Sequence, residues 1–298
     1  MLQDVFQFFL LIISKTIIDL FKLFGSIIIF GFILYLLASL TRRTFAKTLG
    51  SKTELYITGW IGTPIHELSH AFFCWIFNHK IKDIKLFTTK SDTIGYVLHS
   101  YDIRSWYQQM GNFFIGVAPI LMGTFVLYVL FLLLTPELKD NLFVIENDVY
   151  EFSFSHIVDS IYNMFASTIH ISENIFYNII NNSSFKSVGF WIFLYLSISV
   201  ASHMELSPAD ISHAWKGVFF IIIIALIFNT ILLLLKVLFN ISIPISVIAS
   251  INKMLETYNL LLIFATIISS FNFLLSYVLL TPISIIRKKR IINPFTMK

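Results

Sequence analysis

Between Lys216 and Lys236 the chain carries no ionisable side chain, and Val218–Phe239 is built almost wholly from Ile, Leu, Phe and Val. A stretch of about 20 apolar residues is what a helix needs to cross the ~30 Å hydrocarbon core of a bilayer. Similar stretches recur at Gly25–Leu40, Tyr56–Phe77, Phe113–Leu134, Phe190–Ala201 and Leu260–Leu280. In lipid each backbone N–H and C=O must find its partner within the segment, so such stretches read as helices. Only 13% of residues are charged, against ~25% in a soluble domain. With 57% hydrophobic residues, no water-soluble fold of this size could bury the apolar surface. The net charge of +4 is too weak and too scattered for nucleic-acid binding and suits loops near anionic lipid.

The expected fold is an all-α polytopic membrane protein of about six transmembrane helices, seven if the N-terminal segment also crosses. In Val5–Phe24, Lys15, Asp19 and Lys22 share one helical face, the pattern of a helix lying in the interface. No basic stretch precedes that run, so it does not read as a signal peptide. Three regions follow. Residues 1–55 hold the interfacial helix and the first span, 56–239 a membrane core with a polar insertion at 135–187, and 240–298 the last span and a basic tail. Short amphipathic helices such as His156–Phe165 are expected in the insertion. We expect an integral protein of a prokaryotic plasma membrane, its Arg287–Arg290 tail cytoplasmic by the positive-inside rule. That orientation leaves Arg42, Arg43, Lys47 and Lys52 outside, against the rule, unless residues 42–55 follow the interface.

Within the Tyr56–Phe77 span stands His66-Glu67-Leu68-Ser69-His70, an H-E-x-x-H pattern. Two histidines four apart lie one turn above the other on a helix, and both imidazoles can reach one zinc ion. Glu67 can take a proton from an attacking water and return it to a leaving amine, because zinc lowers the pKa of water towards ~7. Burying two His and a Glu in hydrocarbon is costly, and intramembrane ionisable groups are functional sites by default. Cys74 is the only cysteine, which excludes an internal disulfide and a thiolate zinc cluster. A metal ion would then need His and carboxylate ligands. A third ligand must come from elsewhere, and His203, Glu205 and Asp210 are the candidates; spacing does not choose among them. Ser207-Pro208 reads as an N-cap and N1 pair, with Asp210 in the first turn of the next helix.

These residues resemble a site-2 protease-type intramembrane zinc metallopeptidase over roughly residues 56–235. That family carries H-E-x-x-H on one membrane helix and its third ligand in an L-D-G motif closely preceded by proline. Pro208-Ala-Asp210 matches the Pro and the Asp, whereas Ile211 stands where the family has Gly. The resemblance makes Asp210 the preferred third ligand, beside His66 and His70. The family also has an Asn upstream of that Asp that steadies the transition state. Ser202 and His203 occupy that neighbourhood here, so the resemblance makes His203 its catalytic replacement. A membrane re-entrant β-hairpin after the active-site helix, often with a Gly-Tyr-Val run, is also implied. Lys80–Phe87 alternates charged and apolar residues, and Gly95-Tyr96-Val97 follows, which reads independently as a half-buried strand pair turning near Ser91-Asp92. Its edge could bind an unwound substrate by strand addition.

The sequence thus points to a membrane-embedded zinc endopeptidase acting on transmembrane or membrane-proximal protein segments. Zn2+ is the implied cofactor, Glu67 the general base and the lipid bilayer the medium; oligomeric state is not readable. The rival reading is a polytopic transporter or ion-binding protein whose His/Glu cluster handles a metal or proton without hydrolysis. A surface zinc protease cutting soluble tails would use the same residues without the hairpin. Small residues at Gly111, Gly116 and Gly123 are expected to let helices approach closely.

Overall fold

The computed structural model describes residues 2–50, 52–90, 94–135, 184–289 and 291–296, together with residues 166, 169, 170, 173 and 177. Helix α1 runs from Leu2 to Thr48, and a π-helical turn at Leu55–Gly59 leads into α2, Trp60–Ile76. Strands β1 (Lys80–Lys85) and β2 (Tyr96–Ser100) follow, then α3, Trp106–Leu134. After the insertion come α4 (Val188–Ala201), α5 (Pro208–Phe239) and α6 (Ile245–Lys288). The helices expected in the insertion, the Ser91-Asp92 turn and Arg290 lie outside the described residues.

Four helices are long and apolar enough to cross a membrane, as expected of an all-α membrane protein. Helix α4, at 14 residues, is about 21 Å long and falls short of a ~30 Å core on its own. Helix α2 is longer than its 17 residues, because residues 53–54 and the π-helical turn run into it without a break. The expected break between an interfacial N-terminal helix and a first span is absent, because α1 is one helix of 47 residues. The polar stripe that suggested a break faces protein in part: Asn229 of α5 donates to Asp19 Oδ2 (3.1 Å) and to Thr16 Oγ1 (3.2 Å).

In lipid the hydrophobic effect does not drive helices together, so close packing must. Leu34, Leu127, Phe131, Phe193, Met204 and Phe264 interlock α1, α3, α4 and α6. A second cluster with Phe30, Phe113, Ile120, Ala214 and Leu262 binds α1, α3, α5 and α6. The backbones of α3 and α5 nearly touch. A Cβ on Gly116 would lie 2.5 Å from the Asp210 carbonyl oxygen, and one on Gly217 would lie 2.3 Å from the Phe113 nitrogen.

The two strands pair antiparallel from Lys80 opposite Ser100 to Lys85 opposite Tyr96, with a bulge between Ile81 and Asp83. The strand pair is where the alternating pattern put it, but β1 is exposed on both faces rather than half-buried. Among the described residues the sheet has two strands, and each leaves an outer edge unpaired. At the turn end of the ladder Tyr96 donates its hydroxyl to Asp83 Oδ2 at 2.7 Å, which raises its pKa.

Candidate metal centre

Helix α2 holds His66 and His70 on one face, their Nε2 atoms 3.2 Å apart. Asp210 comes from the start of α5. Ser207 is the N-cap there, accepting from the Asp210 amide, and Asp210 Oδ2 accepts from the Ser207 amide at 2.7 Å. This capping box is the local reason the carboxylate is aimed back at the helix start rather than out along the side. Asp210 Oδ1 lies 3.2 Å from His70 Nε2 and Oδ2 lies 3.6 Å from His66 Nε2. One ligand atom from each of the three residues falls within 4.8 Å of the others, so the group could hold a metal ion.

The hydrogen bonds behind the rings test whether a cation fits. His66 Nδ1–H donates to the His203 carbonyl and His70 Nδ1–H to the Ile115 carbonyl, each at 2.7 Å. A carbonyl can only accept, so each ring is fixed as the Nδ1–H tautomer with its Nε2 lone pair facing inward. In the neutral rings, two lone pairs 3.2 Å apart beside a carboxylate repel one another. A cation between them turns that repulsion into coordination. Tetrahedral bonds of ~2.0–2.1 Å would set two nitrogens about 3.3 Å apart, close to the spacing present.

Of the three candidates that spacing left open, Asp210 lies beside the two histidines in the described structure, and His203 and Glu205 do not. The His203 ring approaches the Ser199 carbonyl (Nδ1, 3.1 Å) and Glu54 Oε1 (Nε2, 3.7 Å). Its carbonyl is what reaches the centre. Glu205 is ion-paired with Arg42 of α1. That pair also bears on the charge asymmetry, because Arg42 is engaged by protein and is not a free loop charge.

Glu67 is buried, and Gly95 at the entry to β2 sits directly on it. A Cβ on Gly95 would lie 2.8 Å from both Glu67 Cγ and Oε1 and 2.9 Å from Thr63 Cγ2. The glycine of the Gly-Tyr-Val run therefore lets the hairpin backbone lie on the carboxylate. Gly62 does the same on the other side of α2, where a Cβ would meet the Ser199 carbonyl at 2.2 Å and His203 Nδ1 at 2.5 Å. The supporting carbonyls of Ile115 and His203, and Glu54 with its Thr58 partner (3.1 Å), carry no sequence signature. Gly62 stands one turn before His66, and it is the structure that shows Ser199 and His203 coming close there. Beyond the membrane helices, burial is the main cause pulling His99 down to about 4, with His79 and His213 adding to it. Burial likewise lowers His79, although a bond to the Gln108 carbonyl opposes it.

No protein-family model, curated protein or solved structure matches this chain.

Proposed function

We propose that this chain is a membrane-embedded zinc endopeptidase, with His66, His70 and Asp210 as the zinc ligands. The observation that carries the reading is the pair of imidazoles tied by Nδ1 to backbone carbonyls, with both Nε2 atoms facing one carboxylate. With both Nδ1 nitrogens committed to carbonyls, the two Nε2 atoms and the Asp210 carboxylate converge on one point, as a set of ligands would. When bound, zinc supplies Lewis acidity, acidifying a water molecule and polarising the scissile carbonyl.

The chain's own residues would do the rest. Glu67, next in sequence to a ligand and buried against Gly95, takes the proton of the attacking water and gives it to the leaving amine. Ile115 and His203 hold the two rings in their ligating tautomer through their carbonyls. The unpaired hairpin edges suit an extended segment, and a transmembrane helix must unwind before its carbonyls can be attacked. Contact between Gly95 and Glu67 brings the hairpin to the general base, so the favoured substrate is a transmembrane or membrane-proximal protein segment. This is the activity expected of the resemblance to site-2 protease-type peptidases.

The test is Glu67→Gln in purified protein, measured for zinc content and for cleavage of a model transmembrane peptide. Gln keeps the shape but cannot take up the proton. Zinc should be retained and the rate should fall at least 10²–10⁴-fold, the usual worth of general-base catalysis. Full activity in that variant would refute Glu67 as the general base, and zinc held by a wild-type protein that cleaves nothing would refute the peptidase reading and favour a transporter that uses the metal without hydrolysis.

A further inference from the structure

We infer that the chain holds a second metal site, formed by Cys74, His79 and His99, which fastens the hairpin to the end of α2. One ligand atom from each of these three residues lies within 4.8 Å of the others. The local backbone builds the group. Helix α2 ends with Asn78 in the left-handed conformation (φ 61°), the His79 amide donating to the Cys74 carbonyl at 2.8 Å and the Asn78 amide to the Trp75 carbonyl at 3.2 Å. This pair of bonds is a Schellman turn, and it folds the chain back so that the fifth residue after Cys74 returns to it. Strand β2 then brings His99 alongside, opposite Ile81 in the ladder.

The ring geometry admits a cation here too, in place of the hydrogen bond that His99 Nδ1–H can give to His79. His79 Nε2–H donates to the Gln108 carbonyl at 2.8 Å, leaving its Nδ1 lone pair directed at His99 Nδ1, 3.0 Å away. Tyr101 stacks on the His79 ring, with ring centroids 5.0 Å apart. Cys74 is fully buried and His79 nearly so. His213 of α5 places its ring 5.2 Å from that of His99, with a buried Nδ1 that has no hydrogen-bond partner among the described residues. It is the candidate for a fourth ligand. The two sites are stacked along the same helices: Cys74 is one turn beyond His70 on α2, and His213 is one turn beyond Asp210 on α5.

One thiolate and two imidazoles suit zinc or a similarly thiophilic ion, not calcium or magnesium. Binding releases the thiol proton to solvent and leaves the two imidazoles neutral. The single cysteine, too few for a thiolate cluster, suffices for this mixed set. The site stands independently of the proposed peptidase centre, whose donors are nitrogen and oxygen alone.

That difference makes the test specific. Purified full-length protein in detergent is stripped, then loaded with Co2+ as the probe under a non-thiol reductant. Wild type should bind two equivalents and show a thiolate-to-cobalt charge-transfer band in the near ultraviolet. Cys74→Ser should lose the band and one equivalent. The His66→Ala/His70→Ala double variant should lose the other equivalent and keep the band. Absence of the band in wild type, a measurement that needs no variant, would overturn the second site. If the double variant keeps both equivalents, the peptidase centre fails while the second site stands.

Discussion

Gly62→Ala tests how the metal centre is held without touching any proposed ligand. The added Cβ would sit 2.2 Å from the Ser199 carbonyl and 2.5 Å from His203 Nδ1, and the first of these contacts is with backbone. Relief requires α2 and the end of α4 to part until that contact reaches the 3.4 Å of ordinary van der Waals packing. His203 follows Ser199 at the end of α4, and its carbonyl accepts from His66 Nδ1 at 2.7 Å. A separation of that size takes the bond past the ~3.2 Å limit of a good N–H···O contact. Losing the partner behind a metal-binding imidazole typically costs 10–100-fold in affinity, or about 1.4–2.8 kcal/mol. Overpacking should add about 1–3 kcal/mol of lost stability. The assay is zinc affinity by chelator competition, run beside thermal unfolding. Gly189→Ala is the control, since its Cβ would meet the Leu134 carbonyl at 2.6 Å, remote in sequence from every proposed ligand. It should lose stability and keep its affinity. Unchanged affinity in Gly62→Ala, with stability lowered as in the control, would refute the idea that the His203 carbonyl orients His66.

His66→Ala or His70→Ala should remove zinc from the proposed centre, read by metal analysis of the Cys74→Ser background, where one equivalent is expected. Asp210→Asn should lose that zinc whereas His203→Ala should keep most of it, because alanine retains the carbonyl that faces His66; the reverse result would move the ligand to His203. Arg42→Ala leaves the Glu205 carboxylate without its ion-pair partner, and because Arg42 is partly exposed the expected cost is about 1–3 kcal/mol rather than the full penalty of a buried pair. Arg42→Ala/Glu205→Gln should recover much of that loss in thermal unfolding, and a double variant no more stable than the single would show that the pair is not what holds the two segments together.

The sequence showed the helices best where lipid dictates the pattern. The apolar stretches at Phe113–Leu134 and Val218–Phe239 became α3 and α5 because no other fold satisfies a backbone in hydrocarbon. The division of α1 was misread because Lys15, Asp19 and Lys22 look alike whether they face water or a partner, and Asn229, which meets that face, lies more than two hundred residues away. The i, i+4 histidines and the Ser207–Asp210 cap were legible because both depend on neighbours in sequence. The carbonyls of Ile115 and His203 were not, since any residue supplies a carbonyl and only tertiary packing decides which one points at a ring. The Cys74 group was hidden for a related reason: counting one thiol excludes a cluster of thiolates but says nothing of which imidazoles fold beside it.

The donor set of the proposed catalytic centre is divided between two distant points of the chain, residues 66–70 and residue 210, with α3, the polar insertion and α4 made in between. A nascent chain that has made α2 therefore has His66, Glu67 and His70 but no Asp210 to join them. The same aspartate also caps α5, so its carboxylate takes up position only when that helix has begun. Under the proposed function, competence to cut would arrive as a late event in biogenesis, once α5 has started, and fragments truncated before α5 would be inert.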